Sequence, residues 1–385
     1  MKETAKLYYA DGYVREFDAC VVSCQPEGER YRVVLDRTAF FPEGGGQYGD
    51  VGCLDGVQVT DTKEKAGIIF HETDTALEEG KCVHGVLDWE VRFDRMQQHS
   101  GEHIVSGIVH RRFGYENVGF HLGDDYCTMD FNGPITKEEL KEIEWEANRA
   151  VFENLDVLVT YPSKDELAQM EYRSKIEIDG QVRIVTIPGY DVCACCAPHV
   201  KKTGEIGLIK LVNRMNYKGG ERITMLCGGR ALKDYDRKQE NAKRIGALLC
   251  EKENEIAEAV ERLKEEQGRL KSKAASLRQQ MLVYKAQEIE IQEPIVRVFE
   301  EELTGNEPRE LMNLLLERGA RVCAVFAGTD VTGYRYVIGS RTEDVRPVSR
   351  MLNEKFQGRG GGKPEMVQGS LSAEKSLIAE ALESL

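Results

Sequence analysis

Two short patterns constrain this chain more than anything else in it: His99-Ser100-Gly101-Glu102-His103 and Cys195-Cys196-Ala197-Pro198-His199. Each carries two metal-binding heads four residues apart. On a helix, residues at that spacing lie one above the other, so His99 and His103 can aim two imidazole nitrogens at one point. Cys195 and His199 can add a thiolate and a third imidazole from a second element. A closed set of one sulfur and three nitrogens suits Zn2+ better than magnesium or calcium, which prefer oxygen. The competing reading puts the histidines on a polar surface stripe and packs the cysteines as small hydrophobes. His71, His84, His110 and His121 show no competing spacing. Glu102 precedes the second histidine instead of following the first, so the HExxH geometry of metalloproteases is not implied.

With 385 residues the chain has room for two or three domains, and 41% apolar residues can build real cores. The first residues are charged, and no apolar run reaches membrane-spanning length, so no membrane partner is expected. Eleven cysteines, an odd number without an export signal, point to reduced thiols and a cytoplasmic location. A net charge of −14 argues against nucleic-acid binding by the whole surface. Local cationic groups remain: Arg111-Arg112, Lys201-Lys202, Arg214 with Lys218, and Arg359 with Lys363.

The pattern along the chain predicts an α+β multidomain protein. Residues 1–90 read as short, partly alternating strands of a small β-barrel, interrupted by a glycine-rich loop, Phe40-Phe41-Pro42-Glu43-Gly44-Gly45-Gly46-Gln47. Residues 91–230 read as an α+β domain with a helix over Asp94–Phe113. A second helix runs to Glu153 from a capping box at Thr136 and Glu139. Residues 231–288 place Leu249, Ile256, Leu263, Leu270, Leu277 and Tyr284 every seven residues, a coiled-coil arm either continuous or folded back near Gly268. Residues 289–385 read as an α/β domain whose glycine-rich turn, Gly358–Ser370, sets Arg359 and Lys363 beside backbone N–H groups suited to a phosphate. That turn is no Walker loop, because Gly-Lys is followed by Pro.

Taken together, these motifs resemble the stand-alone alanyl-tRNA editing proteins of the AlaX type, long form, and the editing and C-terminal regions of alanyl-tRNA synthetase. The Phe40–Gln47 loop is similar to the family's glycine-rich motif, and His99-x-x-x-His103 matches its HxxxH. Cys195-x-x-x-His199-Val200 followed by Thr203-Gly204-Glu205-Ile206-Gly207 matches its CGGTH signature in spacing. Gly360–Gln368 resembles the DHHA1 motif. The chain departs from the pattern in carrying Cys196-Ala197-Pro198 where the family has Gly-Gly-Thr, and Cys196 is an alternative ligand to Cys195.

The resemblance implies a zinc-dependent deacylase that hydrolyses alanine tRNA mischarged with serine or glycine. Its metal ligands would be His99, His103, Cys195 and His199. His121 would be a substrate-side residue, Glu102 a general base and Gln47 a residue at the pocket entrance, while Arg359 and Lys363 would meet tRNA. A homodimer through the coiled coil and C-terminal domain is implied as well. No class II synthetase core is read ahead of the editing region, so aminoacylation is not expected. The alternative is a non-catalytic tRNA-binding or dimerisation protein that keeps zinc for structure. A DHHA1-type phosphodiesterase is disfavoured, because the sequence contains no Asp-His-His.

Overall fold

The computed structural model describes residues 2–174, 181–291 and 295–383. The chain forms two compact units, Met1–Arg244 and Ile245–Leu385. The first opens with β1 (Ala5–Lys6) and a single turn, α1 (Leu7–Ala10). It continues through β2 (Glu16–Glu27), β3 (Arg30–Leu35), β4 (Arg37–Thr38), β5 (Gly52–Leu54), β6 (Val57–Lys65), β7 (Ile68–Thr73) and β8 (Cys82–Leu87). Strands β2-β3-β7-β6-β5-β8 hydrogen-bond in that order and close into a barrel. Alternation drives the closure: Phe17, Ala19 and Val21 of β2 point inward with Val33, Leu35, Leu54, Val59 and Val83, while Glu16 and Asp18 point out.

From the barrel the chain passes directly into α2 (Trp89–Phe113). The helix starts five residues before Asp94. Asp88 caps it, accepting from the Val91 N–H at 3.2 Å, and Gly114 ends it in the left-handed region. The competing reading of a polar surface stripe does not hold, since residues 98–109 of α2 are buried throughout. Gly101 is one reason: a Cβ there would sit 2.4 Å from Cys227 Sγ, so only glycine lets the neighbouring strand lie this close.

There follow β9 (Asn117–Leu122), β10 (Cys127–Phe131), α3 (Lys137–Glu153), β11 (Leu158–Thr160), α4 (Lys164–Leu167), β12 (Ile184–Ile187), β13 (Asp191–Ala194), β14 (Ile209–Tyr217) and β15 (Gly220–Cys227). The antiparallel sheet β14-β15-β10-β9 packs on α2 and α3 around Met96, Ile104, Ile108, Met129, Ile143 and Ile223. The capping box of α3 is formed, with Thr136 and Glu139 each accepting from the other's backbone N–H. Strands β11-β12-β13 make a smaller sheet that carries the chain back to α2.

Next come α5 (Gly228–Leu249) and α6 (Ile256–Glu288), then β16 (Ile295–Glu300), α7 (Glu307–Glu317), β17 (Val322–Thr329), β18 (Gly333–Ser340), α8 (Arg346–Phe356), β19 (Arg359–Lys363), β20 (Met366–Leu371) and α9 (Lys375–Glu383). The long helical region is neither continuous nor folded at Gly268. It breaks at Cys250, which adopts a φ of +56° while Glu251 N–H returns to Gly246 O, and α6 runs unbroken through Gly268. In the second unit the sheet order is β16-β17-β18-β20-β19. Leu311, Leu315 and Val325 lie in one core cluster, and Phe326, Tyr336 and Leu352 in another. The glycine-rich turn is instead a hairpin: Arg359–Lys363 is a strand paired with Met366–Leu371, closed by Pro364 and Glu365. No helix among the described residues is long and apolar enough to cross a membrane.

His71 gives the barrel a pH dependence. Its ring is fully buried, with Nδ1 3.1 Å from Val33 O and Nε2 2.8 Å from Thr38 Oγ1. A carbonyl only accepts, so Nδ1 carries the proton and Nε2 accepts from the hydroxyl. Burial pushes the pKa down from 6.5 to about 4. Above 6.5 the imidazole is neutral in both states and its contribution to stability is complete. Below 6.5 the unfolded chain binds a proton that the folded chain refuses, so the contribution is lost as pH falls towards 4. Denaturant titrations at pH 7 and 4.5 should therefore show about 2–3 kcal/mol more loss in the natural protein than in His71→Gln. Equal losses would remove His71 as the cause.

Candidate functional site

Helix α2 supplies His99 and His103 one turn apart, with ring centroids 5.5 Å from each other. Strand β13 ends at Ala194 and delivers Cys195 to the same place. The segment from Cys195 to His199 is not helical. Its two heads converge because the chain bends around the Arg183 guanidinium, whose Nη1 donates to Cys195 O at 2.8 Å and Ala197 O at 3.0 Å. Ala197 is buried with Tyr8, Phe41 and Ile69. The bend brings His199 Nε2 to 3.4 Å from Cys195 Sγ, which is itself 3.5 Å from His99 Nε2. The donor atoms of His99, His103, Cys195 and His199 all lie within 4.8 Å of one another.

Each imidazole is held from behind. His99 Nδ1 meets Gln47 Oε1 at 3.0 Å, His103 Nδ1 meets Asp191 Oδ2 at 2.9 Å, and His199 Nδ1 meets Ser100 Oγ at 3.1 Å. Carboxylate and amide oxygens only accept, so His99 and His103 carry their protons on Nδ1. Ser100 Oγ also accepts from Val200 N–H. With Nδ1 of each ring engaged from behind, all three Nε2 atoms face one point, the arrangement that outer partners impose on metal-binding histidines. Asp191 is anchored in turn by Arg173, whose Nε and Nη2 donate to its two oxygens at 2.8 and 2.9 Å. Burial raises the Asp191 carboxyl, but the bonds from His103 and Arg173 outweigh it and hold the group below its usual range.

The three neighbouring thiols separate electrostatically. Burial alone would push Cys195 up, yet the imidazoles that it faces hold it well below the usual range. Cys193 is pushed up to about 11 by burial, while Cys196 is exposed to solvent. Cys195 is thus the thiolate of the group, and Cys196 lies outside it. Burial takes His199 down to about 3, which keeps its imidazole neutral. Three imidazole nitrogens and one cysteine sulfur converging on one point fit a divalent metal of borderline softness.

The other expected residues fall in different places. Gln47 is not at an entrance but buried against His99, and its Nε2 has no partner among the described residues. Gly46 makes this possible: at φ +83°, with a Cβ position 2.5 Å from Phe120 O, it lets the loop run along β9. Glu102 is buried, and its Oε1 accepts from Ser106 and Asn117, both at 2.6 Å. Its Oε2 is 3.9 Å from His103 Nε2. His121 is exposed and edge-on to Tyr48. Its neighbour Phe120 turns the other way along β9 and lies 5.0 Å from the His99 ring. Arg359 and Lys363 stand at opposite ends of β19 in the second unit. Sequence reasoning missed Asp191, Ser100, Arg173 and Phe120. Only Asp191 had a signal, lying just ahead of the cysteine cluster.

Residues 182–229 match the threonyl and alanyl tRNA synthetase second additional domain, and residues 12–91 match the class II (A) tRNA synthetases. The alanyl-tRNA editing protein AlaX-L of Pyrococcus horikoshii is 30% identical, over 99% of this chain and 98% of its own length. The alanyl-tRNA editing protein Aarsd1 of Danio rerio is 30% identical over 94% of this chain and 93% of its own. The alanine–tRNA ligase of Pyrococcus furiosus is 32% identical over 96% of this chain, which spans 42% of that enzyme. With near end-to-end identity at this level, and the matched synthetase segments falling on the barrel and on the strands that carry Cys195 and His199, this chain belongs to the family of alanyl-tRNA editing proteins.

Proposed function

We propose that the chain is a zinc-dependent deacylase that hydrolyses, in trans, the ester joining serine or glycine to alanine tRNA. The observation that carries this reading is the buried quartet of three Nε2 atoms and one thiolate sulfur, aligned by Gln47, Asp191 and Ser100. Zinc bound by His99, His103, Cys195 and His199 would supply Lewis-acid chemistry at the ester carbonyl or at water. Glu102, with one oxygen fixed by Ser106 and Asn117, would take the proton from attacking water. The buried Nε2 of Gln47 is a donor for an oxygen of the aminoacyl group. Phe120 beside His99 limits the space for a side chain. The need for the reaction is physical: a pocket built for alanine cannot exclude the smaller glycine and rejects an added hydroxyl weakly, so a second sieve is required.

The DHHA1-like C-terminal unit would meet tRNA through Arg359 and Lys363, and α6 would pair two chains. Leu263, Leu270, Leu277 and Tyr284, seven residues apart, are all at least half exposed, as expected of a seam awaiting a second helix. The cysteines of the described residues are all free thiols, in keeping with a cytoplasmic protein.

Three outcomes test the proposal. Purified, zinc-loaded protein should release serine from mischarged alanine tRNA, and His103→Ala should be slower by on the order of 10²-fold, at least the effect of losing an outer partner. A folded, zinc-bound, tRNA-binding protein with no turnover above that control would favour the non-catalytic reading. Asp191→Asn should lower zinc affinity by about tenfold or more in competition with a chromophoric chelator; unchanged affinity would remove Asp191 from the metal's support. The double substitution Leu270→Lys with Leu277→Lys should shift the sedimentation of the chain from dimer to monomer.

A further inference from the structure

The outer face of the barrel carries two cysteines that the quartet does not use. Cys20 on β2 and Cys82 on β8 are register partners, with Sγ atoms 2.9 Å apart and both thiols free. On one side of the pair Val21 N–H donates to Lys81 O at 2.9 Å and Val21 O accepts from Gly80 N–H at 2.8 Å, so a closely spaced set of ladder bonds lies at Val21. Cys20 and Cys82 are therefore a non-hydrogen-bonded pair. At such a site Cα atoms stand about 4.5 Å apart and side chains approach most closely. That separation falls within the range of about 4.4–6.8 Å that a disulfide spans. Packing does not account for the pair: Ala19, Val21 and Val83 fill the interior, while Cys82 is exposed and Cys20 partly so. The hydrogen bond shared with Cys82 raises the Cys20 thiol above its usual range, and Cys82 is the more exposed of the two.

We propose that Cys20 and Cys82 form a dithiol site which a low-molecular-weight disulfide, such as oxidised glutathione, converts into an intramolecular disulfide. The exposed Cys82 thiolate attacks one sulfur of the small disulfide, whose S–S bond breaks and releases one small thiolate. Cys20, giving up its proton, attacks the Cys82 sulfur of the mixed disulfide and expels the second. Two protein thiols lose two protons and two electrons, and the small disulfide takes them up as two thiols. The bridge links residues 62 apart and pins β8 to β2 just before the chain enters α2. Closing a loop of that length restricts the unfolded chain, so the oxidised form is the more stable one.

The test equilibrates the full-length, metal-loaded protein with graded ratios of oxidised to reduced glutathione, followed by acid quench, alkylation and peptide mapping. Cys20 and Cys82 should lose alkylation together at one ratio. A peptide pair joining them should appear with the loss of two hydrogens, and excess reduced glutathione should restore both thiols. In Cys20→Ser, Cys82 should instead hold a stable glutathione adduct, because the resolving thiol is gone. The Tm of the oxidised natural protein should exceed that of the reduced form. A glutathione adduct persisting on Cys82 in the natural protein overturns the proposal, as does oxidation of other cysteines while this pair stays alkylatable. An unchanged or lower Tm overturns the claim that the strand register accepts the bridge without strain.

Discussion

A charged pair with almost no solvent contact, Arg92 and Asp50, decides where the site can form. Arg92 is 1% exposed and spends its donors on Asp50 Oδ2, Gly12 O and Ala39 O. Asp50 Oδ2 also accepts from Phe41 N–H, and the neighbouring Arg95 donates to Gly49 O at 2.7 Å. One stretch of α2 thus grips both ends of the glycine-rich loop, two turns before His99. Ion pairs of this kind add little net stability over apolar packing, but removing one partner strands a buried charge at roughly 3–5 kcal/mol. The pair therefore matters through register. It fixes which loop residue reaches the helix, and that residue is Gln47, opposite His99.

From that anchor the same logic runs outward. A metal-binding imidazole is useful only with the correct nitrogen unprotonated, and the tautomer is set by the partner at the other nitrogen. Three chemically different partners do this here: an amide oxygen from the barrel loop, a carboxylate from β13 and a hydroxyl one residue along α2. Each comes from a different part of the first unit, so the quartet exists only when barrel, helix and small sheet are all in place. The thiolate follows from the same assembly. Two residues away Cys193 is buried where the protonated thiol is favoured, and Cys196 is turned to solvent, whereas Cys195 faces the imidazoles.

How much of this was legible depends on how local each cause is. His99 and His103 were readable because helical spacing alone puts them on one face, and the α3 cap was readable because Thr136 and Glu139 are three apart. The same spacing misled for Cys195 and His199, whose convergence depends on Arg183 gripping two carbonyls, a contact that no periodicity encodes. Gln47 was visible as unusual, but its buried position depends on Arg92 and Asp50, 42 residues apart. Glycines at 360–362 suggested a loop because they lack side chains, yet pairing with Met366–Leu371 makes them a strand. Gly268 looked like a hinge, whereas the actual break depends on Cys250 adopting positive φ.

The acidic charge and an RNA partner are reconciled by asking which cations are already spent. A Lys or Arg displaces the counterions condensed on a phosphate backbone most effectively when none of the protein's own carboxylates already neutralises it. Arg111 and Arg112 are paired with Glu146 and Glu142, Lys201 and Lys202 with Asp11 and Asp156, and Arg214 with Glu221. Each would exchange one anion for another and gain little. Among the described residues Arg359 and Lys363 have no carboxylate partner, and both are exposed on an edge strand, four residues apart on one face. Arg359 and Lys363 are therefore unspent cations, and both belong to the second unit. For a chain of net charge −14, local cations of this kind are what a tRNA partner requires, since the surface as a whole repels phosphate.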